Sequence, residues 1–317
     1  MRGDRVRVLD SLVGQVHGDA GRPDYLAGDV ELQRGDVRDA DALRRALDGV
    51  DAVVHLAARV GVGQSMYEIE EYTSANSYAT AALMEALAER PVRKLVVASS
   101  MSIYGEGAYV DGEPVPTPET KLPELTSIYA LTKYDQERTC LLVGGAYGIP
   151  TVALRLFNVY GPRQALSNPY TGVLAIFASR LLNDRPPRVF EDGLQRRDFV
   201  SVHDVARAFE TALARDGADG LAVNIGSGGS VTVLELAHRL AAQLGKQIEP
   251  ELTGEQRVGD VRHCFADVRL ARETLGFEAQ VALDGGIAEL AEWLAGRSAV
   301  DRVDEATQEL ARRGLTR

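Results

Sequence analysis

The sequence predicts a doubly wound α/β fold on a parallel (Rossmann) sheet, and three features predict it. Short β-branched runs alternate with helical patterns through the first half of the chain. The strand candidates are nearly continuous apolar runs, as in Ala52-Val53-Val54-His55-Leu56, which suits strands buried on both faces. The 317 residues give room for two domains, or for one domain with a large appendage.

Taken in order, strands are expected over residues 6–10, 30–34, 52–56, 94–98 and 151–156. Between them, helices are expected over 40–47 behind an Asp39 cap, over 75–89 and over 127–143. The rhythm changes at Gly161, where Pro162, Pro169, Pro186 and Pro187 surround a single helical stretch, 173–182. Strand-like segments follow at 199–202 and 221–225, the second leading through a Gly-rich turn into a helix over 233–244. Thr232 and Glu235 open that helix as a capping-box pair. A helix over 284–294 and a polar tail helix over 301–313 complete the chain. The expected division is a first domain over 1–160 with returns to its sheet near 199–227, a smaller lobe over 161–198 and 228–300, and a tail over 301–317.

Composition excludes several classes. Lys plus Arg number 35 and Asp plus Glu 46, a net charge of −11, which speaks against nucleic acid and anionic membrane as partners. A hydrophobic content of 45% with 26% charged residues excludes wholesale disorder. Cys140 and Cys264 cannot make a disulfide framework, and the five histidines are scattered, so no metal site is expected. His55 reads as a core histidine and Cys140 as packing. The opening MRGDRVRVLD holds no signal h-region and no run reaches 18 apolar residues, so a cytoplasmic protein is expected.

The first chemical candidate is Tyr129-x-x-x-Lys133. On a helix this pair shares one face. A phenol with a pKa near 10 is a poor base at neutral pH, and an ammonium one turn away would favour its phenolate. Alone, the spacing also describes a surface Tyr–Lys pair. A buried strand ending in Ser99 and Ser100 about thirty residues upstream changes the reading, because ligands of open α/β sheets bind at the carboxyl ends of strands. A hydroxyl there can stabilise charge developing on a substrate oxygen.

A strand ending Ser-Ser-x-x-x-Tyr104-Gly105, then Tyr129-x-x-x-Lys133, then Arg155-Leu-Phe-Asn158-Val-Tyr-Gly-Pro162 resembles the extended short-chain dehydrogenase/reductase superfamily. Within it the chain is similar to the NAD-dependent nucleotide-sugar epimerases and dehydratases, above all the dTDP-L-rhamnose and UDP-glucose 4-epimerase type. Arg196-Arg-Asp-Phe-Val-Ser-Val-His-Asp204, Asn224-Ile-Gly226 and Arg257-Val-Gly-Asp260 are further matches, and the similarity runs from Arg5 to about Leu294.

The resemblance implies an NAD-binding first domain and a nucleotide-sugar-binding lobe. It makes Tyr129 the acid–base residue, Lys133 the partner that binds the nicotinamide ribose and tunes Tyr129, and Ser100 the hydrogen-bond partner of the reacting oxygen. Cofactor contacts carried over by position are Asp10 for the adenosine ribose, Asp36 and Val37 beside the adenine, Leu56, Ala57 and Ala58 beneath the cofactor, and Asn76 and Ser99. An acid at Asp10 indicates NAD rather than NADP. Asn76 matches the Asn of an N-x-x-G-T helix start, with Ala79 in place of the usual Gly. On the substrate side stand Ser100, Ser102, Tyr129, Asn158, Arg197 and Arg257, the arginines offering planar forks to a diphosphate. Arg197 and Arg257 also admit a plainer reading as surface ion-pair residues.

The family's 4,6-dehydratases carry an Asp-Glu pair where this chain has Met101 and Ser102, so 4-epimerisation is expected, with a 4-keto-sugar reductase or a UDP-glucuronate decarboxylase as alternatives. The loops over 61–65, 102–109 and 166–171 are expected to select the sugar. In this family the helices over 75–89 and 127–143 form a dimer four-helix bundle, so a homodimer is expected.

One departure stands out. Gly61-Val-Gly63-Gln-Ser-Met66 and Gly226-Ser-Gly228-Gly229 are incomplete dinucleotide fingerprints. The resemblance places the glycine-rich turn on a first strand some 25–30 residues before Asp10, so the chain is expected to open at the second strand of the Rossmann order. Three explanations compete: a misassigned start, a deletion leaving a catalytically inactive nucleotide-sugar-binding protein, or a substitute segment.

Overall fold

Apolar strands that alternate with amphipathic helices must bury both sheet faces, and a computed structural model of the chain shows them doing so. It describes residues 3–18, 21–170 and 172–316. Thr171, at the end of one expected sugar loop, and the extreme ends of the expected domain limits lie outside the described residues. Strand β1 (Arg7–Asp10) pairs in parallel with β2 (Glu31–Arg34), and helix α1 (Ala40–Leu47) follows behind Asp39. The Asp39 carboxylate accepts the Asp41 and Ala42 amides, as the expected cap requires.

The central sheet holds β3 (Ala52–His55), β4 (Lys94–Ser100), β5 (Thr151–Leu156) and a last strand, Ala222–Ile225, all parallel. Its order is Ala222–Ile225, β5, β4, β3. Among the described residues β1 and β3 share no ladder, so the sheet stands in two pieces. The exposed edge falls where the resemblance puts its first strand, and Leu56 beyond β3 is 59% exposed.

Two helices and one strand differ from expectation in their boundaries. The helix expected over 75–89 opens as a π-helical turn, Thr73–Tyr78, before α2 (Ala79–Glu89). The helix expected over 127–143 runs on as α3 (Ile128–Tyr147), capped by Ser127, whose hydroxyl accepts the Ala130 amide. Gly144 does not break it. A Cβ there would meet Thr151 Oγ1 at 2.2 Å, so this glycine serves a close helix–strand approach, and α3 stops only at Gly148, φ 67°. Strand β4 continues to Ser100 because Ser99 and Ser100 pair with Arg155 and Leu156.

Helices α2 and α3 cover one sheet face with Leu83, Met84, Leu87 and Cys140 against Leu95, Val97 and Ala153. The other face packs Val96, Val152 and Leu154 against Val205, Ala208 and Phe209 of α4 (Val202–Ala214). A separate apolar cluster joins Leu174 and Phe177 to Leu236, Leu240, Ile287 and Leu290. The Thr232 hydroxyl caps its helix through the Glu235 amide, but the Glu235 carboxylate pairs with Arg239, so the box is half made. The tail helix α5 (Val303–Arg312) is amphipathic rather than polar throughout, with Val303, Ala306 and Leu310 buried on one stripe. Among the described residues no helix is long and apolar enough to cross a membrane.

Candidate active site

Strand alternation sends successive side chains to opposite faces, and it separates the two serines that end β4. The Ser99 hydroxyl turns inward and donates to Glu137 Oε2 at 2.7 Å. Ser100 begins a 3₁₀ turn, and its oxygen accepts both the Ser102 amide (3.2 Å) and the Ser102 hydroxyl (2.9 Å). With those two acceptor positions filled, the Ser100 proton is free to be donated onward.

Tyr129 and Lys133 lie one turn apart at the start of α3, as their spacing predicts. The Lys133 ammonium is buried and donates to Ala98 O (2.7 Å) and Gln136 Oε1 (2.8 Å). Burial pulls its pKa down to about 8. Burial also pushes the Tyr129 phenol above its ordinary value, while a hydrogen bond with Ser100 acts the other way. That direction is opposite to the one expected from the spacing, because desolvation of the phenol is the largest influence on it.

Asn76 lies within the π-helical turn and is fully buried. Its amide donates to Thr132 Oγ1 (2.9 Å) and Arg59 O (3.1 Å), and its oxygen accepts the Arg59 amide (2.6 Å). It thereby ties the segment after β3 to α3. Gln136 donates to Thr80 Oγ1 (2.8 Å) and Ala57 O (3.2 Å), joining Lys133 to the same strand end. His55 bonds Thr80 at 2.9 Å, and burial followed by the Lys133 charge lowers its pKa to about 3. It is a neutral core histidine, as read from the sequence.

Asp10 ends β1 with a 44% exposed carboxylate, one oxygen accepting the Leu12 amide. Asp36 is already forked by Arg38, at 2.7 and 3.0 Å, which holds its carboxyl below the usual range. Val37 packs against the cluster under α2. Leu56, Ala57 and Ala58 line the β3 end.

The remaining candidates divide. Asn158 begins a short strand paired with Phe199–Ser201, and its buried Oδ1 has no hydrogen-bond partner among the described residues. Arg197 is buried and donates to the carbonyls of Arg196, Arg262 and Val261, so it is not a surface ion pair. Arg257 does form one, with Asp260 at 2.8 Å, and lies 4.5 Å over the Phe190 ring. Sequence reasoning missed Ser65, whose hydroxyl accepts the Tyr129 amide at 3.0 Å and donates to Val62 O. It also missed the Glu137–Arg155 pair, although an arginine inside the apolar run 151–156 signals a buried partner.

The residues therefore place a tyrosine phenol, a buried ammonium and a serine hydroxyl at the carboxyl end of a parallel sheet. The chain matches the NAD dependent epimerase/dehydratase family over residues 2–226. It belongs to that family. It is 36% identical to the dTDP-L-rhamnose 4-epimerase of Burkholderia thailandensis, over 93% of this chain and 89% of that protein. Its fold is similar to the UDP-glucose 4-epimerase of Thermotoga maritima, seen with UDP-glucose, at a TM-score of 0.83, 32% identity and coverage of 92% and 91%. It is also similar to MoeE5 in complex with UDP-glucuronic acid and NAD, at a TM-score of 0.81, 34% identity and the same coverage.

The cofactor of this epimerase/dehydratase family is NAD, and Lys133 and Asp10 fit it. Lys133 has a third ammonium donor beyond its two protein acceptors, and Asp10 presents carboxylate oxygen at a strand end. No glycine-rich strand-to-helix turn flanks the split between β1 and β3 among the described residues.

Proposed function

We propose that the chain catalyses NAD-dependent 4-epimerisation of a nucleoside-diphosphate sugar of the dTDP-L-rhamnose or UDP-hexose type. The observation that carries the reading is the Ser100–Tyr129–Lys133 arrangement, in which Ser102 fills the Ser100 acceptor positions. Tyr129 takes the proton of the C4 hydroxyl, and Ser100 donates to the oxygen that becomes the C4 carbonyl. Lys133 holds the ribose hydroxyls and supplies positive charge beside the phenolate. NAD would supply a reversible hydride acceptor for C4, so that oxidation to a 4-keto sugar and its reduction from the other face could both occur in one site. Tyr129 then gives its proton back to the C4 oxygen, so proton and hydride balance.

Dehydration is disfavoured because Met101 carries no acid–base group. We assign Asn158, Arg197 and Arg257 to the substrate side, where the unpartnered Asn158 Oδ1 can accept a hydrogen bond from a hydroxyl or N–H of the nucleotide sugar. We assign Asp10, Asp36, Val37, Leu56, Ala57, Ala58, Asn76 and Ser99 to the cofactor side, Ser99 through its backbone alone. Incubation with NAD and dTDP-L-rhamnose or UDP-glucose, with products read by NMR, is expected to give inversion at C4 only. A 4-keto-6-deoxy product, or nucleotide-sugar binding without turnover, would overturn the epimerase reading, the latter in favour of a binding protein.

We also propose a homodimer through the helices over 75–89 and 127–143, where Tyr78, Leu131 and Leu142 are exposed. Sedimentation velocity should show a dimer for the native chain and a monomer for the Leu131→Glu/Leu142→Glu variant; a monomeric native protein at micromolar concentration would refute it.

A further inference from the structure

The loops expected to choose the sugar are not independent of one another. A single segment, residues 300–316, touches three parts of the site. Leu310, 5% exposed, seats against Gly63, where an added Cβ would lie 3.2 Å from the leucine methyl. The Arg313 guanidinium lies 4.2 Å from the Tyr67 ring centre, and the Tyr67 hydroxyl donates to Tyr170 Oη at 2.6 Å. The Val258 amide donates to Leu315 O at 2.9 Å, and Thr316 forms an antiparallel bridge with Arg257.

The segment is itself anchored at its start. The Val300 amide donates to Ser167 Oγ at 3.0 Å, and Arg180 pairs with Asp301 and Asp304. The loop over 61–65 in turn holds Tyr129 in place, through Ser65 and the Tyr129 amide. Residues 310–316 are thus hydrogen-bonded to the backbone beside Arg257 and packed on the segment that seats Tyr129.

We infer that residues 300–316 are a positioning element for the nucleotide sugar, fixing the 61–67 loop and the Arg257 loop relative to each other through Leu310, Arg313 and the Leu315–Thr316 strand. The inference rests on the nucleotide-sugar reading above. Fixing both loops before binding lowers the ordering cost of the complex, so the element acts on substrate affinity more than on the chemical step.

The test compares the native chain with Leu310→Ala and with a variant ending at Arg312, which keeps the buried stripe of α5 and loses only the strand and Arg313. Calorimetry with dTDP and with UDP, and steady-state kinetics on the sugar turned over, are the readouts. Both variants are expected to bind nucleotide about tenfold more weakly and to raise KM alike, with kcat within about threefold. NAD affinity, measured by calorimetry, is expected to be unchanged. A lower melting temperature with unaltered nucleotide affinity and KM would assign the segment a structural role and overturn the inference. A fall confined to kcat would overturn it too. Should Leu310→Ala fail to fold, the variant ending at Arg312 decides. A native chain that binds neither dTDP nor UDP refutes the nucleotide-sugar reading itself, and the inference falls with it.

Discussion

Tyr129→Phe is expected to lower kcat by about a thousandfold or more while nucleotide-sugar affinity stays within about threefold. The phenol oxygen is the only group the substitution removes, and it is the atom proposed to carry the C4 proton. The helix that presents it is held by other contacts, since the Tyr129 amide stays on Ser65 and Lys133 stays on Ala98 O and Gln136. Single-turnover kinetics and calorimetry on the same preparation separate chemistry from binding. Activity within tenfold of the native chain would refute Tyr129 as the base.

The same geometry fixes the sign of a pH effect. Burial raises the Tyr129 pKa and the hydrogen bond with Ser100 lowers it, so the bond favours the phenolate. Removing that donor with Ser100→Ala raises the Tyr129 pKa further. The acid limb of the kcat/KM profile therefore moves to higher pH, in addition to any loss of rate. Burial lowers the Lys133 pKa to about 8, so its ammonium is present at neutral pH and is lost above that value.

Much of the site was legible because its parts are local. The Tyr129–Lys133 spacing is a property of one helix, and Ser100 follows from where an apolar strand ends. Asp10 and the Leu56–Ala58 segment follow from the same rule of strand ends. What was not legible depends on contacts between distant parts of the chain. Ser65 meets Tyr129 across 64 residues, and Leu310 meets Gly63 across most of the sequence. Neither has a periodicity to announce it. Ser99 shows the limit of position alone, since the resemblance makes it a cofactor contact while strand alternation turns its hydroxyl to Glu137. The tail read as polar because its charged residues outnumber Val303, Ala306 and Leu310, whose stripe is nevertheless the buried one.

Glu137→Ala is expected to be the most damaging substitution for stability outside the apolar core. Glu137 is fully buried and accepts two Arg155 donors, Nε at 2.9 Å and Nη2 at 2.7 Å, together with the Ser99 hydroxyl. Arg155 extends the network to Tyr104 Oη at 2.8 Å and Glu119 O at 3.1 Å, and Tyr104 donates to Asn224 Oδ1 at 2.7 Å. Alanine removes the carboxylate paired with a guanidinium that water barely reaches, and leaves that charge without its ion-pair partner. Breaking one partner of such a pair costs about 3–5 kcal/mol, against a total stability on the order of 5–15 kcal/mol. Replacing both charges at once, as Glu137→Leu/Arg155→Met, removes the unpaired charge and is expected to recover most of the loss. Denaturant unfolding of the three proteins gives the comparison directly. If the single variant loses less than about 1 kcal/mol, the pair is solvated well enough that burial has been overstated. If instead the double variant is as unstable as the single one, the strand end depends on the whole chain of bonds from Ser99 to Asn224 rather than on the charge pair. In that case Ser100, one residue beyond Ser99, should lose its alignment with Tyr129, and kcat should fall in both variants alike.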